Sequence, residues 1–175
     1  MINRLKKILI SACSVFMMIR LSTTVYAADE DITLKRRNIE DVQTFIDENT
    51  ARVTGTVRGS LISTVELSIE DLGVGTARIY GDVLCHKKMK KIKLNMILDQ
   101  WNTKTEQWSK VEKFEFTWLA EDYPNQDLTM TCASIDVPNL ERGRNYRVRA
   151  VAGAWDYDSD YYEVWSEKTP SILVE

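Results

Sequence analysis

"KIKLNMIL", residues 91–98, alternates apolar and polar side chains through most of its length. A period of two places successive side chains on opposite faces of a β-strand, so that one face is buried and the other meets water. The apolar set is Ile92, Leu94, Met96 and Leu98, and the opposite set begins with Lys91, Lys93 and Asn95. This stretch therefore predicts a half-buried strand.

The same period recurs on both sides of this stretch. Preceding segments are "STVELSIE" (63–70) and "TARIYGDVLCH" (76–86), and later ones are "KFEFTWL" (113–119), "DLTMTC" (127–132) and "NYRVRAVAG" (145–153). Turn-forming segments such as "DLGVG" and "LERGRN" separate them, and no helical pattern intervenes. About seven short strands of this kind predict an all-β fold, an antiparallel β-sandwich spanning residues 59–175.

One segment near the C-terminus carries a more specific pattern. In "NLERGRNYRVRAVA" (139–152), Leu140, Gly143 and Tyr146 precede a Val-rich strand. This pattern resembles the tyrosine corner of fibronectin type III domains, and the following "VRAVAGAWDYDSDYYEVWSE" (148–167) is similar to the final hairpin of that fold. The resemblance implies an immunoglobulin/fibronectin type III-like sandwich in which the Tyr146 hydroxyl bonds the backbone of the preceding connection.

The N-terminus has the layout of a secretory signal peptide. A basic start, "MINRLKK", leads into the apolar run "ILISACSVFMMI", and "VYA" supplies the small residues read by signal peptidase. We predict cleavage after Ala27 or Ala28 and hence a secreted, extracellular protein. A twelve-residue apolar run is short for a permanent membrane helix. Cys13 inside it leaves a lipoprotein as an alternative.

Charge limits the classes of partner. Of the 23 basic residues four lie before residue 28, so the mature chain has 19 against 26 acidic residues, a formal charge of −7. Nucleic acids and anionic membranes select basic surfaces, and we expect neither as a partner. The 148 residues that remain of 175 suffice for one domain with a hydrophobic core.

Residues 28–58 are predicted to form a polar N-terminal arm that is partly flexible. Ile39, Val42, Phe45 and Ile46 recur at three-to-four spacing after the possible cap Asn38, which suggests a short amphipathic helix. One such turn cannot bury itself, so the arm is expected to move or to dock on the sandwich.

Cys85 and Cys132 are the two cysteines of the mature chain. An even count in an oxidising compartment predicts a disulfide between them. Cys85 shares its parity with Val83, and Cys132 with Leu128 and Met130, so we expect both cysteines to be buried whether or not they are bonded.

Catalysis has little support in these residues. The single histidine, His86, directly follows Cys85, so their side chains point to opposite faces of a strand and cannot form a Cys-His pair. We therefore expect no enzyme and no cofactor. A hydrolase with an unrecognised pair of carboxylates is the remaining catalytic alternative.

The loop "AWDYDSDYYE" (154–163) is the candidate functional site. Trp155, Tyr157, Tyr161 and Tyr162 crowd it, and planar rings at one end of a sandwich can stack on sugars or anchor a protein. We predict that Trp155, Tyr157 and Tyr161 bind a ligand, with hairpin packing as the alternative. Arg147 and Arg149 should face outward and pair with acids on a neighbouring strand.

The same loop carries weak calcium candidates. Asp156, Asp158 and Asp160 alternate as ligands do, and Glu167 falls where an EF-hand places its bidentate acid. Tyr161 occupies the position where such a loop needs glycine, so an acidic hairpin tip is the preferred interpretation and we predict no metal.

A second resemblance covers more of the chain. The signal peptide, "GSLISTVELSIEDLGVGTARIYGDVLCHKKMKKIKLNMILDQW" (59–101) and "YRVRAVAGAW" (146–155) are together similar to small secreted β-domains of Gram-positive bacteria that have no assigned function. We expect a secreted, non-catalytic adhesion module for a cell-surface glycan or protein. An accessory subunit that pairs through an exposed strand edge is the alternative.

Overall fold

Alternating burial along each segment builds β-strands through nearly all of the chain that can be described. The computed structural model describes residues 39–57 and 59–175. The predicted signal peptide, its cleavage site at Ala27 or Ala28 and the first part of the arm lie outside those residues. Within them are ten strands and one turn of 3-10 helix, Ala120–Asp122. The strands are β1 (Ile39–Ile46), β2 (Thr50–Val57), β3 (Ile62–Gly73), β4 (Thr76–Cys85), β5 (Met89–Asn102), β6 (Gln107–Leu119), β7 (Met130–Val137), β8 (Arg144–Asp156), β9 (Tyr162–Lys168) and β10 (Ile172–Val174).

The described strands form two antiparallel sheets. The first sheet has the order β1-β2-β3-β4-β7. The second has the order β10-β8-β5-β6, and β9 also pairs with β8. The chain crosses between the sheets after β4, after β6 and after β7, which are the Greek-key connections of a sandwich. The predicted all-β antiparallel sandwich is confirmed.

Three more strands are present in the described part than the seven expected. Two of them, β1 and β2, form an additional hairpin at the edge of the first sheet. The third arises because the last strand is broken: β9 pairs with Arg149–Trp155, whereas β10 pairs with Arg144–Tyr146. Pro170 lies in the break, where its missing N–H removes a donor that a continuous strand would need.

The core lies between the two sheets and follows the predicted parity. Ile92, Leu94, Met96 and Leu98 of β5 are completely buried, as are the alternate apolar residues of β3 and β4 that face them. Gly81 allows the sheets to approach closely, because a Cβ there would lie 3.0 Å from Leu94 Cδ2 and from Met96 Sδ. The periodicity of the sequence therefore identified the buried faces of these strands correctly.

Residues 39–57 contradict the helix predicted for the arm. They form the β1–β2 hairpin, and β2 buries Ala51 and Val53 in the core. "TARVTGTV" has period two and β-branched residues, and pairing with β3 buries one of its faces, which outweighs the local three-to-four pattern. The sandwich therefore starts before residue 59, at least twenty residues earlier than the predicted boundary.

Tyr146 lies at the start of β8 with its ring buried and its hydroxyl directed at the connection from β7. The hydroxyl accepts a hydrogen bond from the Glu141 backbone N–H at 2.9 Å and lies 3.2 Å from the Glu141 carbonyl oxygen, to which it donates. Gln100 of β5 adds a bond to the same oxygen at 3.0 Å. The corner residues Leu140 and Gly143 flank this contact, Leu140 buried and Gly143 with a φ of 74° that suits glycine.

A buried carboxylate joins the two sheets at one end of the sandwich. Glu163 of β9, only 5 % exposed, accepts hydrogen bonds from the backbone N–H groups of Ser60, Leu61 and Ile62 at 2.7, 2.9 and 2.8 Å. These residues connect β2 to β3, so one side chain of the second sheet satisfies three backbone donors at the edge of the first. A Cβ on Gly59 would overlap this carboxylate, which explains the glycine.

We expect Glu163→Gln to lower the free energy of unfolding by about 2–3 kcal/mol at neutral pH, because an amide turns one acceptor into a donor that faces backbone N–H groups. Burial by itself raises the pKa of Glu163, but the N–H groups of Ile62, Ser60 and Leu61 outweigh it, and the pKa is lowered from 4.5. A lowered pKa gives stability that is present above the unfolded pKa and is lost as pH falls through the folded one.

Urea unfolding from neutral pH to about pH 3 tests both points, and the gap between wild type and variant should narrow as the pH falls. Glu167→Gln, on the same strand, is the matched control and should change the free energy of unfolding by less than about 0.5 kcal/mol. Equal stability of the Glu163 variant and wild type at neutral pH would contradict this role.

Candidate functional site

The aromatic cluster predicted at the β8–β9 loop is held by strand pairing. Trp155 near the end of β8 pairs with Tyr162 at the start of β9, and their rings stack with centroids 5.7 Å apart and an angle of 17° between the planes. Both residues lie on the outer face of the second sheet. Tyr162 was not in the predicted binding set, although its position opposite Trp155 in a hairpin would have indicated it.

A cross-strand row encloses Trp155. Lys91 of β5 is its other neighbour in the sheet, and the Lys91 ammonium lies 4.0 Å from the centre of the indole ring. Gly153 leaves room for the ring, since a Cβ there would come within 2.9 Å of it. Trp155 is thus a packed member of the row Lys91, Trp155, Tyr162, and only part of its surface is open to a ligand.

The two predicted tyrosines of the loop differ in their surroundings. Tyr157 is 48 % exposed, and the Lys88 ammonium lies 4.4 Å from its ring centre. Tyr161 is less exposed, and its hydroxyl donates to Glu163 at 3.2 Å, so it supports the joint between the sheets. Tyr162 is 43 % exposed. The accessible rings at this end are therefore Tyr157 and Tyr162.

The loop aspartates do not converge. Asp156 forms an ion pair with Lys87 at 2.8 Å and accepts a hydrogen bond from the Ser159 hydroxyl at 2.7 Å. Lys87 and then Ser159 hold the pKa of Asp156 at about 2. Asp158 and Asp160 are exposed, and no group of three His, Cys, Asp or Glu side chains within residues 39–57 and 59–175 could hold a metal ion. This geometry adds no support to calcium binding at these three residues.

A second aromatic cluster lies at the opposite end of the same face. Trp101 of β5 and Trp108 of β6 meet edge to face with ring centroids 5.3 Å apart. The Arg147 guanidinium lies 4.1 Å from the Trp108 ring centre. The sequence analysis passed over Trp101 and Trp108, because the bulge in the β5–β6 pairing between Leu98 and Asp99 obscures the parity that joins them.

Asp99 connects this cluster to the arginines of β8. It is 2 % exposed although it belongs to the outer face, and it bonds Arg149 at 2.7 Å and approaches Arg147 Nε at 3.5 Å. The predicted pairing of Arg147 and Arg149 with an acid on a neighbouring strand is confirmed. A carboxylate buried between two guanidinium groups keeps both of them in place along the sheet.

Cys85 and Cys132 correct two predictions, since no disulfide joins them and only one is buried. Cys85 faces the core, whereas Cys132 pairs with Asp82 and is exposed on the outer face of the first sheet. The parity assigned to Cys132 was wrong because β7 starts at Met130, which is itself exposed, and Thr131 and Ala133 point inward instead. Opposite faces of one sheet cannot be bridged by a disulfide.

His86 is exposed in the turn after Cys85, whose thiol is buried. Burial, and after it the Glu163 carboxylate, raise the pKa of this thiol to about 12. A buried thiol with so high a pKa is a poor nucleophile at neutral pH.

No model of a known protein family matches the chain, and none of the curated proteins matches it either. Within residues 39–57 and 59–175 no helix is long and apolar enough to cross a membrane.

We expect a thiol reagent such as iodoacetamide to label Cys132 in the native mature protein and Cys85 only after unfolding. The reason is the exposure of the first and the burial and raised pKa of the second. Peptide mass spectrometry after native and denaturing labelling measures both sites. The Cys132→Ser variant is the control and should take up no label before it unfolds. Recovery of a peptide that joins the two cysteines would contradict the structure.

Proposed function

We propose that the chain is a secreted, non-catalytic binding module for a cell-surface glycan or protein, and that it uses the outer face of the second sheet. Export rests on the signal-peptide pattern of residues 1–27. The observation that carries the choice of face is the presence of an aromatic cluster with a cation against it at each end, Trp155 with Tyr162 at one and Trp101 with Trp108 at the other.

Rigid strands position both clusters, which favours recognition over plain loop chemistry. Trp155, Tyr162 and Lys91 are neighbours in one row of the sheet, so their rings and charge hold fixed positions before any ligand arrives. Preformed groups lose little conformational entropy on binding. Tyrosines with two side-chain torsions and one polar end are well suited to such contacts.

The structure supports a revised contact set at the loop end. Tyr157 and Tyr162 present accessible rings, whereas Tyr161 bonds Glu163 and Trp155 is enclosed by its row. We therefore assign direct contact to Tyr157 and Tyr162, and a supporting role to Trp155 and Tyr161.

Retention of the mature protein, residues 28–175, on insoluble cell wall and on a panel of polysaccharides tests this proposal. We expect Tyr157→Ala/Tyr162→Ala to reduce retention by about tenfold or more, which corresponds to loss of stacking worth roughly 1.4 kcal/mol. Phe45→Ala removes a comparably exposed ring from β1 and is the matched control, with no expected effect. Wild-type protein that stays in solution on every support, at low and physiological salt, would overturn the proposal.

A second candidate is an assembly subunit that pairs through a strand edge. The observation that favours it is β1, an eight-residue edge strand whose Val42, Phe45 and Ile46 are 39, 56 and 65 % exposed. Natural edge strands usually carry protective lysine, proline or inward charges, and "IEDVQTFI" has no lysine or proline. Pairing of β1 with β1 of a second copy would extend the first sheet.

Analytical ultracentrifugation over a wide range of concentrations distinguishes this second candidate from the first. Self-association that the Phe45→Lys/Ile46→Lys variant abolishes would favour assembly, because two charges on the edge oppose strand pairing. Tyr157→Ala/Tyr162→Ala is the control here and should leave self-association unchanged. A monomer at all concentrations would exclude pairing between copies.

A further inference from the structure

The outer face of the second sheet carries a concentrated positive charge. Strand register identifies the side chains that share this face, because partners in adjacent strands point the same way. Among the side chains described, seven on this face are basic and two are acidic. The basic ones are Lys91, Lys93, Lys110, Lys113, Arg147, Arg149 and Lys168, and the acidic ones are Asp99 and Glu115.

The outer face of the first sheet has the opposite balance. Its described acidic side chains outnumber the basic ones, and each of the two arginines there already has an acidic partner. Arg52 approaches Glu66 at 3.3 Å, and Arg78 forms a two-bond contact with Asp136 at 2.7 and 3.0 Å. The acids are Glu66, Glu70, Asp82 and Asp136. Charge is thus separated by strand parity between the two sides of one sandwich.

The acids of the second sheet leave positive charge over. Asp99 is shared between Arg147 and Arg149, so one carboxylate serves two guanidinium groups. Arg147 Nε has no hydrogen-bond acceptor within the described residues, and its guanidinium rests on the Trp108 ring. A guanidinium held flat on an indole and short of acceptors is arranged to receive an anionic group from outside.

The extent of the face sets the size of the ligand. From Lys91 to Asp99 the basic rows run along eight residues of β5, which is about 26 Å at 3.3 Å per residue. A small anion would touch one or two of the cations in this span. Only an extended polymer with repeated negative charges meets several rows at once.

We propose that the outer face of the second sheet binds an anionic polysaccharide that lies along β5 and β8, with its carboxylate, sulfate or phosphate groups on Lys93, Arg147, Arg149 and Lys168. This inference rests on the proposed binding function and specifies the ligand class. The aromatic clusters at the two ends add stacking surface for sugar rings. A polysaccharide is favoured over nucleic acid because the proposed site lies in a secreted protein and because the opposite face is acidic, whereas nucleic-acid domains are basic as a whole.

Binding of dextran sulfate, polygalacturonate and uncharged dextran to the mature protein tests the inference, with single-stranded DNA as a fourth probe. We expect both anionic polysaccharides to bind and dextran to fail. Four ion contacts with a flexible polyanion predict a loss of affinity of about 50-fold between roughly 50 and 200 mM salt.

Lys93→Glu/Lys168→Glu should weaken binding of dextran sulfate by at least about tenfold and reduce the salt slope by about two. Arg52→Glu/Arg78→Glu makes the same change of net charge on the first sheet and is the matched control, with affinity expected within about twofold of wild type. Circular dichroism and urea unfolding establish that both variants are folded. The salt dependence of the wild type tests the inference independently of either variant.

The outcomes separate the two levels of the proposal. Retention on neutral glycans or wall protein that neither salt nor Lys93→Glu/Lys168→Glu alters would overturn the anionic ligand while leaving the binding function in place. Absence of binding to every support would overturn both. DNA bound as tightly as dextran sulfate, with the same dependence on Lys93 and Lys168, would overturn the assignment to a polysaccharide.

Discussion

The geometry of the second sheet depends on the Glu163 carboxylate and the three backbone N–H groups that it accepts. Side chains next to Glu163 in β9, Tyr162 and Val164, face outward, so anchoring Glu163 inward fixes the orientation of the whole strand against β8. Tyr161 adds its hydroxyl to the same carboxylate, which ties the loop to this joint. A carboxylate with charge-assisted bonds to the main chain is stronger than neutral contacts and defines one register.

Asp99 performs a comparable function at the other end of the face. Its burial is tolerated because two guanidinium groups flank it, and removing either partner would leave a buried charge uncompensated. The effect on Arg147 and Arg149 is equally important, since long side chains that would otherwise sample many rotamers are fixed along β8. The two buried acids, Glu163 inside and Asp99 outside, therefore support the two ends of the face in which we place the ligand.

Strand parity was legible wherever both faces of a strand differ clearly in polarity. Ile92 to Leu98 alternate against lysines, so the inner face of β5 followed directly, and the pattern at Leu140, Gly143 and Tyr146 placed the corner where the structure has it. The hairpin β1–β2 was missed because Phe45 and Ile46 suit a short helix as well as a strand, and only pairing with β3 decides between them. Cys132 was misplaced because an exposed Met130 looks like a core residue in a local pattern. Glu163 and Asp99 could not be identified, since burial of an acid depends on donors about a hundred or fifty residues away in the chain.

The same limit applies to charge, and it bears on function. A net charge of −3 for the whole chain argued against polyanionic partners, yet net charge averages over surfaces that a sandwich holds on opposite sides. Salt screens exposed charges over about 8–10 Å, and stacked sheets lie about 10 Å apart, so a ligand on one outer face is largely shielded from the acids on the other. The charge that a ligand meets is therefore that of one strand face, which parity sets along β5, β6, β8 and β9. Sequence reasoning about partners of a β-sandwich is better made face by face, once the register of the strands is known.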